Sequence, residues 1–404
     1  MTMELIYADR YLNEGTRTYS KHASYTDAQV KYRPNSRYPG FDMIVYKVPR
    51  DQMNIYTSNP PIKLSNKYLG ADKILFCIHP QTFKENQDDL YIQRIRLIGL
   101  PDRGISVSPS SSTRTLYVNS DGDPHALKVH FPFKISRYYR KMRDEVIEQA
   151  IRNSLELELG IHLINNGFAF LREVIGVAHK NLQPNSSRGE NWGYLIRDMR
   201  PFPQVDEDVI LIPGFALYGN DFFDPKKQPF LFNLIGNNNP KEFVLNHIML
   251  PVIRHWVGCF QHFGFLLEPH GQNVLLEINK DGEIKRIVHR DLSMAIDMRR
   301  RHDIHLPDNL PNSYNQIESG EFASITYDKF MGEHFFNRIV STLQKKYTYL
   351  MEEDFRKPCR DEFNRIFPDH KKYLPKTIHY FSEELDQFGK PLYQDLGILP
   401  VWRP

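Results

Sequence analysis

The sequence predicts an α+β fold, with mixed and antiparallel sheets and packed helices, on three observations. Short apolar runs bounded by turn residues read as strands. Two long segments repeat apolar residues at helical spacing. Between two apolar runs, Asp281-Gly282 is a strong hairpin-turn signal.

Size and composition permit such a fold and exclude several others. The 404 residues are 41% hydrophobic and 25% charged, enough for a large buried core in one domain or a few packed subdomains. A formal charge of +3, with no arginine-rich tail, gives no reason to expect a nucleic-acid partner. Cys77, Cys259 and Cys359 stand far apart, without the paired spacing of a zinc site. Their odd number argues against a secreted disulfide scaffold. The start, MTMELIYADR, has no basic segment followed by an apolar one. No uninterrupted apolar run reaches membrane length, so the expectation is a cytoplasmic protein without a membrane partner.

Residues 1–70 are polar, tyrosine-rich and broken by proline, with short extended pieces such as Phe41–Val48. Leu75–His79 reads as a buried strand ending at Pro80, and a helix is expected around Asp88–Ile98. A serine-rich turn within 105–118 leads into a strand at RTLYV. After the SDGDP turn, Ala126–Ile135 reads as its partner. A helix is expected over Arg137–Leu159, although Arg137, Arg140, Lys141 and Arg143 would then crowd its start, where the helix dipole disfavours cations. Trp192–Arg197 reads as a strand in a polar loop region, and Val209–Leu217 as an apolar strand or strand pair broken at Pro213-Gly214. A second helix covers 241–263, bent by Pro251. The hairpin about Asp281-Gly282 places Asn273 roughly opposite His289 and Gly271 near Asp291, gathering Glu268, His270, Gln272, Asn273 and Asp291 at its open end. Beyond it, Glu333–Tyr349 and Tyr380–Phe388 read as helices.

Three blocks together resemble the IucA/IucC-type siderophore synthetases, which work without a peptide-synthetase assembly line. They are IHPQTF followed by SPSSSTRTL; LKVHFPFKISRYYR; and EPHGQN followed by HRD. GYLIRDMRP and ILIPGFAL lie between them in the family's order, and the similarity spans roughly residues 70–295. The resemblance implies a palm-fingers-thumb architecture around a deep cleft: a fingers-like region over 1–140, a palm-like region over 141–303 and a mainly helical thumb-like region over 304–404. It also implies ATP and Mg²⁺, a small carboxylic acid activated as an acyl-adenylate, and an amine or alcohol that attacks it; a homodimer would fit. The chain departs from the family pattern in lacking the earlier GHPxHPxxKxR-like segment, in HPQT where HPWQ is usual, and in ISRYYR where ITSxxR is usual. These departures fall mostly on acid-recognition features, so the acid need not be citrate nor the product a siderophore.

Carboxylate adenylation brings several negative charges together, and arginine forks and lysine ammonium groups suit them. On the resemblance, Ser112, Arg114 and Thr115 take the triphosphate, with Lys128, Arg140 and Lys134 as further contacts. Ser136 is either a phosphate donor or the cap of the following helix. Glu268, Asn273 and Asp291 offer the hard oxygens that Mg²⁺ prefers. His270 is expected at the α-phosphate or the acyl-adenylate oxygens, so that His270, Arg114, Lys128 and Arg140 form the catalytic set. Gln272 orients substrate, and His79 shapes the nucleotide or acid pocket. Arg197 leads the candidates for the acid, followed by Arg172, His179, Lys180 and Arg188.

A P-loop enzyme is excluded by the missing G-x-x-x-x-G-K-[ST], and a kinase by the missing DFG and glycine-rich loop around HRDLSM. Two other readings stay open: a ligase acting on a non-citrate acid outside siderophore synthesis, and a noncatalytic small-molecule binder.

Overall fold

The computed structural model describes residues 3–18, 20–119, 122–164, 167–183, 191–205, 208–307, 310–386 and 391–404. Its frame is a 12-stranded mixed sheet. Along its main path the strands run Val209–Pro213, Val274–Asn279, Ile284–His289, Ala169–His179, Gly193–Phe202, His125–Val129, Thr115–Val118, Ile105–Pro109, Phe41–Pro49 and Lys73–Ile78. Neighbours pair antiparallel except Ile284–His289 with Ala169–His179, which run parallel. The sheet takes strands from both sides of residue 140. The α+β class holds.

Two large cores flank this frame. One packs the run Pro240–Phe263 and the C-terminal helices around Trp256 and Phe260, both fully buried. The other joins the strands of the first half through Phe76, Ile92, Trp192 and Tyr194. By length and composition alone, Pro240–Phe263 would be long and apolar enough to cross a membrane, contrary to the reading that nothing approached such a span; 67% of its most apolar window is buried within the fold. Residues Leu245–Met249 of this run form a π turn just ahead of Pro251, which lacks the N–H that a regular helix would use.

Several expected elements fall elsewhere, each for a physical reason. The helix expected from Arg137 begins at Asp144, with Asp144 and Glu145 in its first turn, where the dipole favours acids. Of the basic residues before it, Arg137 and Arg140 belong to a small hairpin, Phe131–Ile135 with Tyr138–Arg140, and Arg143 stands at the N-cap of the helix. Ser136 therefore does not cap the helix; it forms the hairpin turn at φ +60°. The strand expected over Ala126–Ile135 divides at His130, giving one piece to the large sheet and one to this hairpin. Tyr380 lies in a strand, His379–Leu385, rather than a helix, and Phe388 lies outside the described residues. The helix expected from Glu333 is the end of a π-helical segment, Ile325–Phe336, continued by Asn337–Lys346.

Candidate active site

The hairpin about Asp281-Gly282 forms as expected, but its register is shifted by one residue. Val274, not Asn273, pairs with His289, because a bulge at Glu277/Ile278 absorbs a residue. Asn273 instead faces Arg290, whose N–H donates to the Asn273 carbonyl at 3.0 Å. The open end still gathers its polar residues. A cavity of about 330 Å³ there is lined by Glu268, His270, Gln272, Asn273 and Asp291. Ser136, Arg137 and Arg140 of the small hairpin line another side. The N-terminal segment contributes Arg17, and the serine turn Ser111. The remaining wall is aromatic, with Phe215 and Tyr218 at the end of the apolar segment, Phe330 and His334 from the π helix, and Tyr380 and Phe381 from the C-terminal strand.

Three non-glycine residues around this cavity adopt left-handed backbones: Thr113 at φ +69°, Ser136 at +60° and Asp291 at +75°. Such strain concentrates where a site dictates the course of the chain. Gly271 is required by close approach, since a β-carbon there would lie 2.2 Å from the Tyr218 hydroxyl.

The charges are unevenly matched. Asp291 Oδ1 accepts from the buried Lys128 ammonium at 2.5 Å. Burial would raise the Asp291 pKa, but Lys128, Arg197 and Arg114 outweigh it and hold the carboxyl well below the usual range. Glu268 is pushed up to about 7, first by burial and then by Asp291, against the opposing pull of Lys128 and Arg140. Two carboxylates thus compete for one basin of positive charge, and one of them is strained as an anion. That is what a divalent cation relieves, so Glu268 and Asp291, with the neutral oxygen of Asn273, fit a Mg²⁺ ion. Among the described residues, no group of three or more His, Cys, Asp or Glu side chains forms a metal site. Substrate oxygens would therefore have to complete the coordination.

His270 Nδ1 accepts from the Gln272 N–H at 3.2 Å, and burial lowers the ring's pKa to about 4. Together these assign a neutral imidazole with its proton on Nε2, a donor rather than a cation. Arg114 stands behind the lining and donates to the Arg140 and Lys141 carbonyls at 3.2 and 3.4 Å. Burial, with Arg140 and Arg197 adding to it and Asp291 opposing, lowers its pKa to about 10. Lys128 is likewise a buried cation behind the lining.

Other sequence-predicted residues lie off the cavity. Ser112 Oγ accepts from the Thr115 N–H at 3.1 Å and bonds Ser110 Oγ at 2.9 Å, so Ser112 and Thr115 shape the serine turn from within. Lys134 lies over the Tyr139 ring at 5.4 Å. His79 is fully buried in an aromatic nest of Tyr32, Phe41 and Phe131, and its Nδ1 caps the helix beginning at Pro80. The acid-binding candidates lie off the cavity as well. Arg197 is buried against Glu173 at 2.5 Å, and Arg172 pairs with Glu158 and Asp198 at 3.2 and 3.1 Å. Their positive charge is already matched within the sheet. Lys180 is exposed, His179 is buried against Tyr91, and neither lines the cavity. Arg188 lies outside the described residues.

Sequence reasoning missed Asp9, Arg17, Ser111, Tyr117 and the aromatic wall. Asp9 lies in the N-terminal helix Met3–Tyr11 and is fully buried. Its one legible signal was an acid near the end of MELIYADRY, which does not announce burial.

Residues 41–218 match the model of the IucA / IucC family. No curated protein matches the chain in sequence. The fold is similar to the petrobactin biosynthesis protein AsbB from Bacillus anthracis str. Sterne, at 15% identity and a TM-score of 0.71, over 95% of this chain and 71% of that one. It is also similar to the aerobactin synthetase IucC from a hypervirulent pathotype of Klebsiella pneumoniae, at 16% identity and a TM-score of 0.65, over 91% of this chain and 70% of that one. ATP-bound aerobactin synthetase IucA from the same source is similar at 13% identity and a TM-score of 0.64, over 91% of this chain and 71% of that one. At these identities each likeness is one of fold.

Proposed function

We propose, from the match of residues 41–218 to the IucA / IucC family model, that the chain is an ATP-dependent carboxylate ligase. It activates a small carboxylic acid as an acyl-adenylate and passes the acyl group to an amine or hydroxyl, in siderophore or related natural-product synthesis in the cytoplasm. One observation carries the reading: a single cavity sets Arg17, Arg137 and Arg140, backed by Lys128 and Arg114, against two carboxylates, Asp291, held ionised by its cations, and Glu268, strained as an anion beside it. An excess of fixed cations beside paired carboxylate oxygens suits a magnesium polyphosphate.

In the first step an acid oxygen attacks the α-phosphorus of ATP, forming the P–O bond of the mixed anhydride as pyrophosphate leaves with the electron pair of the broken bond. Arg140 and Arg137 neutralise the phosphates, and His270 Nε2–H donates to an oxygen on which charge accumulates. Glu268, Asp291 and Asn273 would hold Mg²⁺, which supplies Lewis-acid neutralisation of phosphate charge when bound. In the second step the amine or hydroxyl attacks the acyl carbon, AMP leaves, and the nucleophile's proton passes to solvent or a basic group. With Arg197 and Arg172 committed to internal pairs and Arg137 and Arg140 on the phosphates, Arg17 is the cavity cation that would hold the acid.

The test is ATP–pyrophosphate exchange with Mg²⁺ and pooled acids, followed by mass detection of products after pooled amines are added. Acid-dependent exchange and a coupled product are expected. Absence of MgATP binding and of any product across a broad pool would overturn the reading.

A further inference from the structure

Asp9, itself fully buried, sits at the centre of a network that joins three distant segments to the cavity. Its Oδ1 accepts from Arg290 Nη2 at 2.8 Å and from the Ser111 hydroxyl at 3.0 Å. Its Oδ2 accepts from the Tyr117 hydroxyl at 2.7 Å and the Ser111 N–H at 3.2 Å. Arg290 spends its other donors on the Tyr117 hydroxyl at 3.0 Å and the Gln272 carbonyl at 2.7 Å. Ser111 Oγ in turn accepts from Gln272 Nε2 at 3.0 Å. Ser111 and Gln272 line the cavity, whereas Asp9 does not.

The directions of these bonds follow from chemistry. An ionised carboxylate only accepts, so the Ser111 hydroxyl must turn its proton towards Asp9. Its lone pairs then face Gln272, which must present its amide N–H. The Gln272 backbone oxygen is taken by Arg290, so the side-chain oxygen, Gln272 Oε1, is left as the group's acceptor.

We propose that Asp9 is a positioning residue of this site: through Ser111 and Arg290 it fixes the place and polarity of Gln272, so that Gln272 Oε1 receives a hydrogen-bond donor of the bound ligand. That donor is an N–H or O–H, such as a nucleotide hydroxyl or amine, and not a phosphate oxygen. Asp9 makes no contact with the ligand. The assignment of ligand rests on the ligase reading; the network and its effect on the two loops do not.

The test uses the full chain and Asp9→Asn. An asparagine can donate to Ser111, reverse its hydroxyl and so turn the Gln272 amide. The expected result is a native far-UV spectrum, faster amide exchange confined to residues 110–113 and 268–273, and about tenfold weaker MgATP binding, the effect of one lost or reversed hydrogen bond. In a Gln272→Met background the Asp9→Asn change should add less than about twofold, because the group it acts through is gone. Full multiplication of the two effects, or unchanged exchange in both segments, overturns the proposal. Should Asp9→Asn fail to fold, Ser111→Ala removes only the bridging hydroxyl and should reproduce the affinity loss; unaltered affinity there also overturns it. If the wild-type chain binds no MgATP, the ligase reading fails while the exchange measurement still decides the role of Asp9.

Discussion

Arg290 and Asp291 are consecutive residues, yet they answer opposite electrostatic problems. Arg290 turns into the protein, where Asp9, Tyr117 and the Gln272 carbonyl use its donors. Burial would lower its pKa, but Asp9 and Tyr117 more than offset that and raise it. Asp291 turns into the cavity, where Lys128 holds one of its oxygens and Glu268 repels it. The first cluster is complete without any ligand. The second has excess cations on one side and crowded carboxylates on the other. A left-handed residue at the junction, Asp291, makes the switch of direction possible. A satisfied frame beside an unsatisfied basin is what a preorganised site for a charged ligand requires.

The contrast can be broken most forcefully at Arg290. Arg290→Met strands Asp9 as a buried unpaired carboxylate and should cost roughly 3–5 kcal/mol in denaturant unfolding; a loss below about 1 kcal/mol would mean the frame is not a frame. Glu268→Gln should do the reverse. Acid-dependent exchange should fall about 10²-fold or more, while stability without Mg²⁺ at pH 8 stays level or rises. A large stability loss there would show that Glu268 belongs to the frame.

The pH dependence sharpens the same point. The folded pKa of Glu268, about 7, lies above its ordinary 4.5, so the folded state holds the extra proton between these values. Its contribution is full below about pH 4.5 and is lost as pH rises to about 7. Comparing Mg²⁺-free stability of wild type with Glu268→Gln isolates this term, and the difference should change across that window. Mg²⁺ affinity should climb over the same range as the competing proton leaves, and a flat profile would contradict the proposed seat. The smallest effect is expected from Lys180→Ala, which should shift neither the KM for the acid nor stability by more than about 0.5 kcal/mol. A raised KM would return Lys180 to the acid site.

What was legible in the sequence was local. Asp281-Gly282 announced a hairpin, and the hairpin sufficed to bring Glu268, His270, Gln272, Asn273 and Asp291 to one end. The bulge that moved the register by one residue follows Glu277, whose ion pair with Arg286 on the facing strand is not visible from the turn signal. Ser136 was read as a helix cap or a phosphate donor, since serine serves both; only pairing between Phe131–Ile135 and Tyr138–Arg140 reveals a turn. Arg197 looked like a cleft residue at the end of an apolar strand. Its partner Glu173 is aligned with it across the neighbouring strand, information absent from either segment alone. Asp9 was illegible for the same reason on a larger scale, since its partners all lie more than a hundred residues away.

That last separation bears on how the molecule is made. During synthesis the first helix emerges early, but the arginine that neutralises its acid follows 281 residues later. Until then, docking the helix would bury a bare charge, so its final seating must come late, after the central hairpin has left the ribosome. Cavity assembly is thereby deferred to the closing stages of folding, and a nascent chain halted before that hairpin contains no working ligand pocket.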